Sequence, residues 1–140
     1  MRKNFRKDLE ILNNLDKKRF LITGGYGMLA NSFLKQLKKY TKKTKIYYLS
    51  KNSLNVSKKN SFRSFTKLKP DYIIHCAALV NADLCEKKKR LAKENIFNGT
   101  KNIIQFAKKN KSKIFYPQSF LIYKSSNKKI DEKTFPKPLS

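Results

Sequence analysis

Acidic side chains are scarce in this chain. Nine Asp and Glu stand against 34 Lys and Arg, a formal net charge of +25 over 140 residues, and from Lys17 to Pro70 there is no acid at all. Arginine is scarce too, with 5 residues against 29 lysines and 13 asparagines. Arginine is the side chain favoured for bidentate phosphate and base recognition. Along the sequence the lysines are spread over nearly every segment rather than gathered into one arm. This fits a lysine- and asparagine-rich composition better than a dedicated nucleic-acid reader, so no more than weak, nonspecific attraction to polyanions is expected. Long apolar runs are missing: none approaches the ~20 residues of a membrane span, and no apolar region follows the basic N-terminus as in a secretory signal. The expected location is the cytoplasm, with no membrane partner. Of two cysteines, Cys76 ends an apolar run and Cys85 lies in a polar stretch. Their separation is not a metal-type spacing, and neither a disulfide framework nor a metal site is expected.

What is present is enough for one domain with a core. The apolar residues, 39% of the chain, fall in blocks such as Phe20-Leu21-Ile22 and Tyr72-Ile73-Ile74. Residues 1–18 read as a basic, partly helical N-terminal extension, with Leu9, Ile11, Leu12 and Leu15 at near-helical spacing. From Arg19 strand and helix patterns alternate. Strands are expected at Arg19–Thr23, Lys45–Leu49, Asp71–Cys76 and Lys113–Tyr116, with a very short one at Leu54–Val56. Helices are expected at Met28–Tyr40, from an N-cap at Ser57 to about Leu68, and at Leu91–Lys109. Strands separated by helices imply crossover connections and a parallel sheet. The expected fold is therefore α/β, a doubly wound parallel sheet with helices on both faces, over residues 19–140. Ligands bind such sheets at the carboxyl ends of the strands, near the point where strand order reverses.

The strongest motif lies at such an end: Thr23-Gly24-Gly25-Tyr26-Gly27-Met28-Leu29-Ala30, between a strand and a helix. Gly24 suits a tight turn, Gly27 lets the backbone approach a pyrophosphate, and Ala30 fills the third small position. N–H groups near Met28 and Leu29 would face the phosphates at the positive end of the helix dipole. Tyr26, between the glycines, is counted in the same site. NAD binders typically place an acid about 20 residues on, for the ribose 2′-hydroxyl. Here the second strand ends Leu49-Ser50-Lys51. A hydroxyl at Ser50 and a cation at Lys51 suit a 2′-phosphate, so NADP(H) is favoured over NAD.

These residues resemble the extended short-chain dehydrogenases, the sugar-nucleotide epimerase, dehydratase and reductase group, nearest to dTDP-4-dehydrorhamnose reductases and their relatives. The resemblance covers roughly Arg19 to Ser140 and rests on several motifs in order. After the glycine loop comes Leu54-Asn55-Val56, similar to the family's adenine-contacting segment, with Asn55 in place of an acid; its amide oxygen is expected to accept from the adenine amino group. Next is Lys69-Pro70-Asp71-Tyr72-Ile73-Ile74-His75-Cys76-Ala77-Ala78. Its alanines, Ala77 and Ala78, with the following Leu79, imply room for ribose and nicotinamide. Glu94-Asn95-Ile96-Phe97-Asn98-Gly99-Thr100 matches the family's Asn-x-x-Gly-Thr, where the resemblance implies that Asn95 braces neighbouring strand ends beside the cofactor. In Tyr116-Pro117-Gln118-Ser119-Phe120-Leu121-Ile122-Tyr123, anchoring on Tyr123 puts Ser119 at the family's catalytic Ser/Thr. There a hydroxyl steadies charge on the substrate oxygen. His75, the only histidine, is expected to be a core or strand-end residue without an acid–base role.

The resemblance also implies a Tyr-x-x-x-Lys pair on the next helix, for proton exchange and ribose binding. Glu132, Pro136, Pro138, Leu139 and Ser140 match the bridge into it, and Tyr116 and Tyr123 are followed four residues on by Phe120 and Asn127. The chain is therefore expected to be the NAD(P)-binding front of a sugar-nucleotide enzyme, without useful turnover alone. A nucleotide-sugar substrate belongs only to a full-length form. The sheet is expected to be incomplete at its C-terminal edge and prone to self-association there. The alternatives are a non-catalytic NADP(H)-binding module and, further off, a basic nucleic-acid-binding or scaffold protein.

Overall fold

The computed structural model describes residues 14–119, 122–123, 130–131 and 133–137. Leu9, Ile11 and Leu12 of the N-terminal stripe fall outside them, as do Phe120, Leu121, Glu132, Pro138, Leu139 and Ser140. Four strands, β1 (Arg19–Thr23), β2 (Lys45–Leu49), β3 (Tyr72–His75) and β4 (Lys113–Phe115), form one sheet in the order β2-β1-β3-β4. Every pairing is parallel, with Arg19 beside Lys45, Phe20 beside Tyr72 and Tyr72 beside Lys113. Parallel neighbours need crossovers. Helix α1 (Met28–Tyr40) joins β1 to β2, and a 3-10 helix (Lys59–Phe65) joins β2 to β3. Helices α2 (Ala82–Lys87) and α3 (Lys89–Ala92), a π-helical segment (Lys93–Asn98) and α4 (Gly99–Asn110) join β3 to β4. The chain leaves β1 toward β2 and returns past it to β3, so strand order reverses between β1 and β3.

Alternation along the strands builds a core on each face. Leu21 and Ile73 point to one face, where Leu54, Val56, Phe62, Ile103, Phe106 and Ala107 cover them. Phe20, Ile22 and Ile74 point to the other and meet Ala30, with half-buried Leu15, Phe33, Leu34 and Leu37 packed around. Leu21, Ile22, Ile73 and Ile103 have no exposed surface. Each buried aliphatic side chain of this kind contributes about 1.5–3 kcal/mol by leaving water.

The structure departs from the sequence expectations in four places. Leu54–Val56 is not a strand: Leu54 N–H donates to the Ser50 carbonyl at 2.9 Å in a turn, and only the side chains of Leu54 and Val56 enter the core. Ser57 does not cap a helix, because its N–H and hydroxyl both donate to Asn55 Oδ1 (3.1 and 2.7 Å). The segment after it is a 3-10 helix, whose three-residue turn stacks Phe62 over Phe65 against the core. The long helix expected at Leu91–Lys109 is three pieces, with a π-helical stretch before Gly99. Helix α2 has no counterpart among the expected elements; Asn81 caps it, accepting from Leu84 N–H at 2.7 Å.

Candidate functional site

The carboxyl ends of β1 and β3 come close together where strand order reverses, and the glycine loop passes between them. Gly24 has φ of 75°, and a Cβ there would lie 2.7 Å from the Cys76 carbonyl carbon, so only glycine fits. Gly25 packs as tightly against Leu49 and Ser50, its N–H donating to the Leu49 carbonyl at 2.9 Å. Gly27 N–H closes the turn onto the Gly24 carbonyl at 3.0 Å, and the Gly27 carbonyl accepts from Asn31 N–H at 2.9 Å, starting α1. The N–H groups of Met28, Leu29 and Ala30 therefore have no acceptor within the helix, and no side chain caps them. They form the positive end of the α1 dipole and border a cleft of about 510 Å³.

Ten of the predicted site residues line that cleft: Gly24, Gly27, Met28 and Leu29 from the loop, Lys51, Asn55 and Val56 from beyond β2, Ala77 and Ala78 after β3, and Asn95. Four stand outside its lining. Tyr26 is 81% exposed at φ 70°, with its N–H donating to Tyr48 Oη at 2.5 Å. The Ser50 carbonyl accepts from Ser53 and Leu54 N–H. Leu79 is half-buried and its carbonyl accepts from Cys85 Sγ at 3.5 Å. Ser119 is exposed, its carbonyl accepting from Ile122 N–H at 3.3 Å.

Two polar side chains are oriented differently from expectation. Asn55 Oδ1 is occupied by Ser57, which leaves the Asn55 amide NH₂, a donor, rather than its oxygen for any ligand. Asn95 donates to the Leu91 carbonyl at 2.9 Å, one turn back on its own helix, and does not brace strand ends.

His75 is 1% exposed, and burial pushes its imidazole down to about 4, so it is neutral at pH 7. Its Nδ1 lies 2.7 Å from Thr23 Oγ1 and its Nε2 lies 3.4 Å from Thr100 Oγ1, with the Tyr116 ring stacked on it at 5.5 Å. Thr23 Oγ1 also accepts from Ala77 N–H at 3.4 Å. Two proton arrangements satisfy all three bonds: Thr23 donates to Nδ1 while Nε2–H donates to Thr100, or Nδ1–H donates to Thr23 while the Thr100 hydroxyl donates to Nε2. Burial likewise pushes the Cys76 thiol up, away from the nucleophilic thiolate. Among the described residues no group of three His, Cys, Asp or Glu is placed to hold a metal, and no helix is long and apolar enough to cross a membrane.

Sequence reasoning passed over Gly25, although the double glycine was visible. It also passed over Tyr48, which donates to Asn31 Oδ1 at 2.7 Å while accepting from Tyr26. No motif marks a strand tyrosine for that task.

A family model described as the RmlD substrate binding domain matches residues 18–140. A comparison with curated proteins gives no match. Among solved structures, a dTDP-4-dehydrorhamnose reductase from Clostridium acetobutylicum is 27% identical with a TM-score of 0.81, over 87% of this chain and 44% of that one. The same enzyme from Yersinia enterocolitica is 32% identical with a TM-score of 0.76, over 86% and 42%. The enzyme from Bacillus anthracis, solved in complex with NADP, is 25% identical with a TM-score of 0.79, over 86% and 43%. This chain spans less than half the length of each.

Proposed function

The chain belongs to the RmlD substrate binding domain family, and on that premise we propose that it forms the NADP(H)-binding portion of a sugar-nucleotide reductase. The observation that carries this reading is the uncapped first turn of α1 over the cleft, held by glycines that admit no Cβ. The residues suit a dinucleotide. Met28 and Leu29 N–H groups take the pyrophosphate. Lys51 and Ser50 meet the ribose 2′-phosphate, with no carboxylate between Lys17 and Pro70 to repel it. The Asn55 amide donates to an adenine ring nitrogen, and Val56 closes the adenine pocket. Ala77, Ala78 and Asn95 border the nicotinamide half. The Bacillus anthracis relative carries NADP, which supports the choice of cofactor.

When bound, the nicotinamide supplies hydride transfer. Ser119 holds the substrate oxygen by a hydrogen bond in a full-length form. No tyrosine of residues 1–140 sits on a helix four residues before a lysine, so these residues bind the cofactor without reducing a nucleotide sugar by themselves. β4 pairs with β3 alone among the described strands, and with Ile114 and Phe115 37% and 53% exposed it is the edge through which the chain self-associates; sedimentation at rising concentration tests this.

The deciding experiment is titration with NADPH and NADH, read by nicotinamide fluorescence. NADPH should bind the tighter. Lys51→Glu should weaken NADPH by roughly tenfold or more and leave NADH little changed, as expected for losing a charge-assisted contact. Equal affinities in the unaltered chain, or equal losses in the variant, would remove the 2′-phosphate assignment. No binding of either would remove the reading.

A further inference from the structure

Along the sequence the lysines are dispersed; the fold brings nine of them together. Because all four strands are parallel, the loops that lead into them meet at one pole, opposite the cleft. Backbone bonds tie these loops together: Lys45 N–H donates to the Lys18 carbonyl (3.0 Å), Asp71 N–H to Arg19 (2.8 Å) and Lys113 N–H to Asp71 (2.9 Å). Loop 41–45 brings Lys42, Lys43 and Lys45, and loop 111–113 brings Lys111 and Lys113. Segments 17–19 and 67–69 add five more cations, a total of ten. The last turns of α1 and α4 end beside them, each with two further lysines.

Among the described residues two carboxylates share this pole, and both are engaged. Asp71 holds Arg19 through its N–H (2.7 Å) and its guanidinium (3.3 Å), and that contact keeps its carboxyl below the ordinary range. Asp16 accepts the backbone N–H groups of Lys42 and Lys43. Among the described residues no lysine of the pole lies in an ion pair: the pairs other than Arg19–Asp71 are Lys89–Glu86 and Arg90–Glu94, elsewhere in the fold. This concentration of unpaired charge raises the local potential well above what the same charges would give when interspersed with acids.

We propose that this pole is a docking surface for the phosphate backbone of nucleic acid, bound without reading bases. The residue types select the partner. The ammonium groups are point charges suited to phosphate, whereas Arg19, the arginine within these four segments, is committed to Asp71 and offers no fork to a base edge. Tyrosines interleave with the lysines: Lys45 Nζ lies 5.5 Å from the Tyr47 ring centre, Lys113 Nζ 6.0 Å from Tyr72 and Lys39 Nζ 5.0 Å from Tyr40. Tyr40, 49% exposed, offers a ring for stacking. A membrane surface fits less well. Peripheral anchors insert large apolar side chains, and exposed ones such as Met28, Leu29 and Val80 line the cleft at the other end of the strands. The pole and the cleft are at opposite ends of the strands, so nucleic acid and dinucleotide bind together.

The test compares two sets of four substitutions with equal effect on net charge. One alters the pole: Lys42→Glu, Lys43→Glu, Lys111→Glu and Lys113→Glu. The other alters exposed lysines elsewhere: Lys35→Glu, Lys88→Glu, Lys93→Glu and Lys101→Glu. Binding of a fluorescent single-stranded RNA of roughly 20 nucleotides is followed by anisotropy between about 50 and about 200 mM salt. The pole set should weaken binding at least ~10-fold and flatten the salt slope by about 3, at ~0.7 for each phosphate no longer neutralised. The other set should stay within about threefold of the unaltered chain. Melts by circular dichroism check that both sets fold. Lysine acetylation of the unaltered chain, read by mass spectrometry, gives an answer that needs no variant: RNA should shield Lys42, Lys43, Lys111 and Lys113. Equal losses in both sets, RNA that shields other lysines equally, or binding to phosphatidylserine vesicles without binding to RNA would each overturn the proposal.

Discussion

Tyr26 holds φ at 70°, a conformation that residues with a Cβ rarely adopt. Its cost, about 1 kcal/mol or more, is met by the Tyr48 hydroxyl, which takes the Tyr26 N–H and donates to Asn31 on α1. Tyr48 thus positions the glycine loop from the neighbouring strand. Removing its hydroxyl should release the loop: Tyr48→Phe is expected to lower NADPH affinity by about 3–10-fold, the worth of one net hydrogen bond. Adding Tyr26→Gly, which adopts the same φ freely, should recover most of that loss. His75 makes a second prediction. Its folded value of about 4 is below the ordinary 6.5, so the unfolded chain takes up a proton that the folded chain refuses. The stability is fully present above pH 6.5 and is lost as pH falls toward 4, by as much as about 3 kcal/mol. Urea titrations across that range should show the decline, and His75→Asn should flatten it. At this scale the glycine loop was legible because its demands are local: a tight turn and a helix start. The orientation of Asn55 was not legible, because its partner, Ser57, reads in the sequence as the cap of a helix that does not form there.

Helix α1 and strand β2 match their sequence boundaries because apolar periodicity and strand-forming residues coincide in each. The connection from β3 to β4 was less legible, since periodicity reports a helix but not the widening of one turn. The cause lies in packing. Gly99 begins α4 directly against Val56, and a Cβ there would stand 2.9 Å from Val56 Cγ2. The π-helical segment delivers the chain to this contact, with Asn95 turned toward the cleft. A valine methyl is stiff, so Gly99→Ala should lower stability by about 1 kcal/mol or more despite alanine's better helix propensity. Combined with Val56→Ala, the loss should be less than the sum of the two. Chemical denaturation of the four chains of this cycle checks it. The Gly-Thr motif was visible in the sequence, but the partner that requires the glycine is more than 40 residues away.

The whole-molecule pattern of crossovers, and hence the parallel sheet, could be read from alternating element types. The gathering of lysines at one pole could not, because it depends on which loops the sheet brings together. The same closure binds Arg19 to Asp71, 52 residues apart. The β1–α1–β2 unit is formed from neighbours in sequence, whereas this clasp waits for the chain to travel out and back. Loop-closure entropy opposes its early formation. Asp71→Asn should therefore leave the refolding rate nearly unchanged and quicken unfolding, a difference that stopped-flow traces in both directions resolve. In kinetic terms the Arg19–Asp71 pair is expected to act as a latch, adding to how long the sheet stays assembled rather than to how fast it assembles.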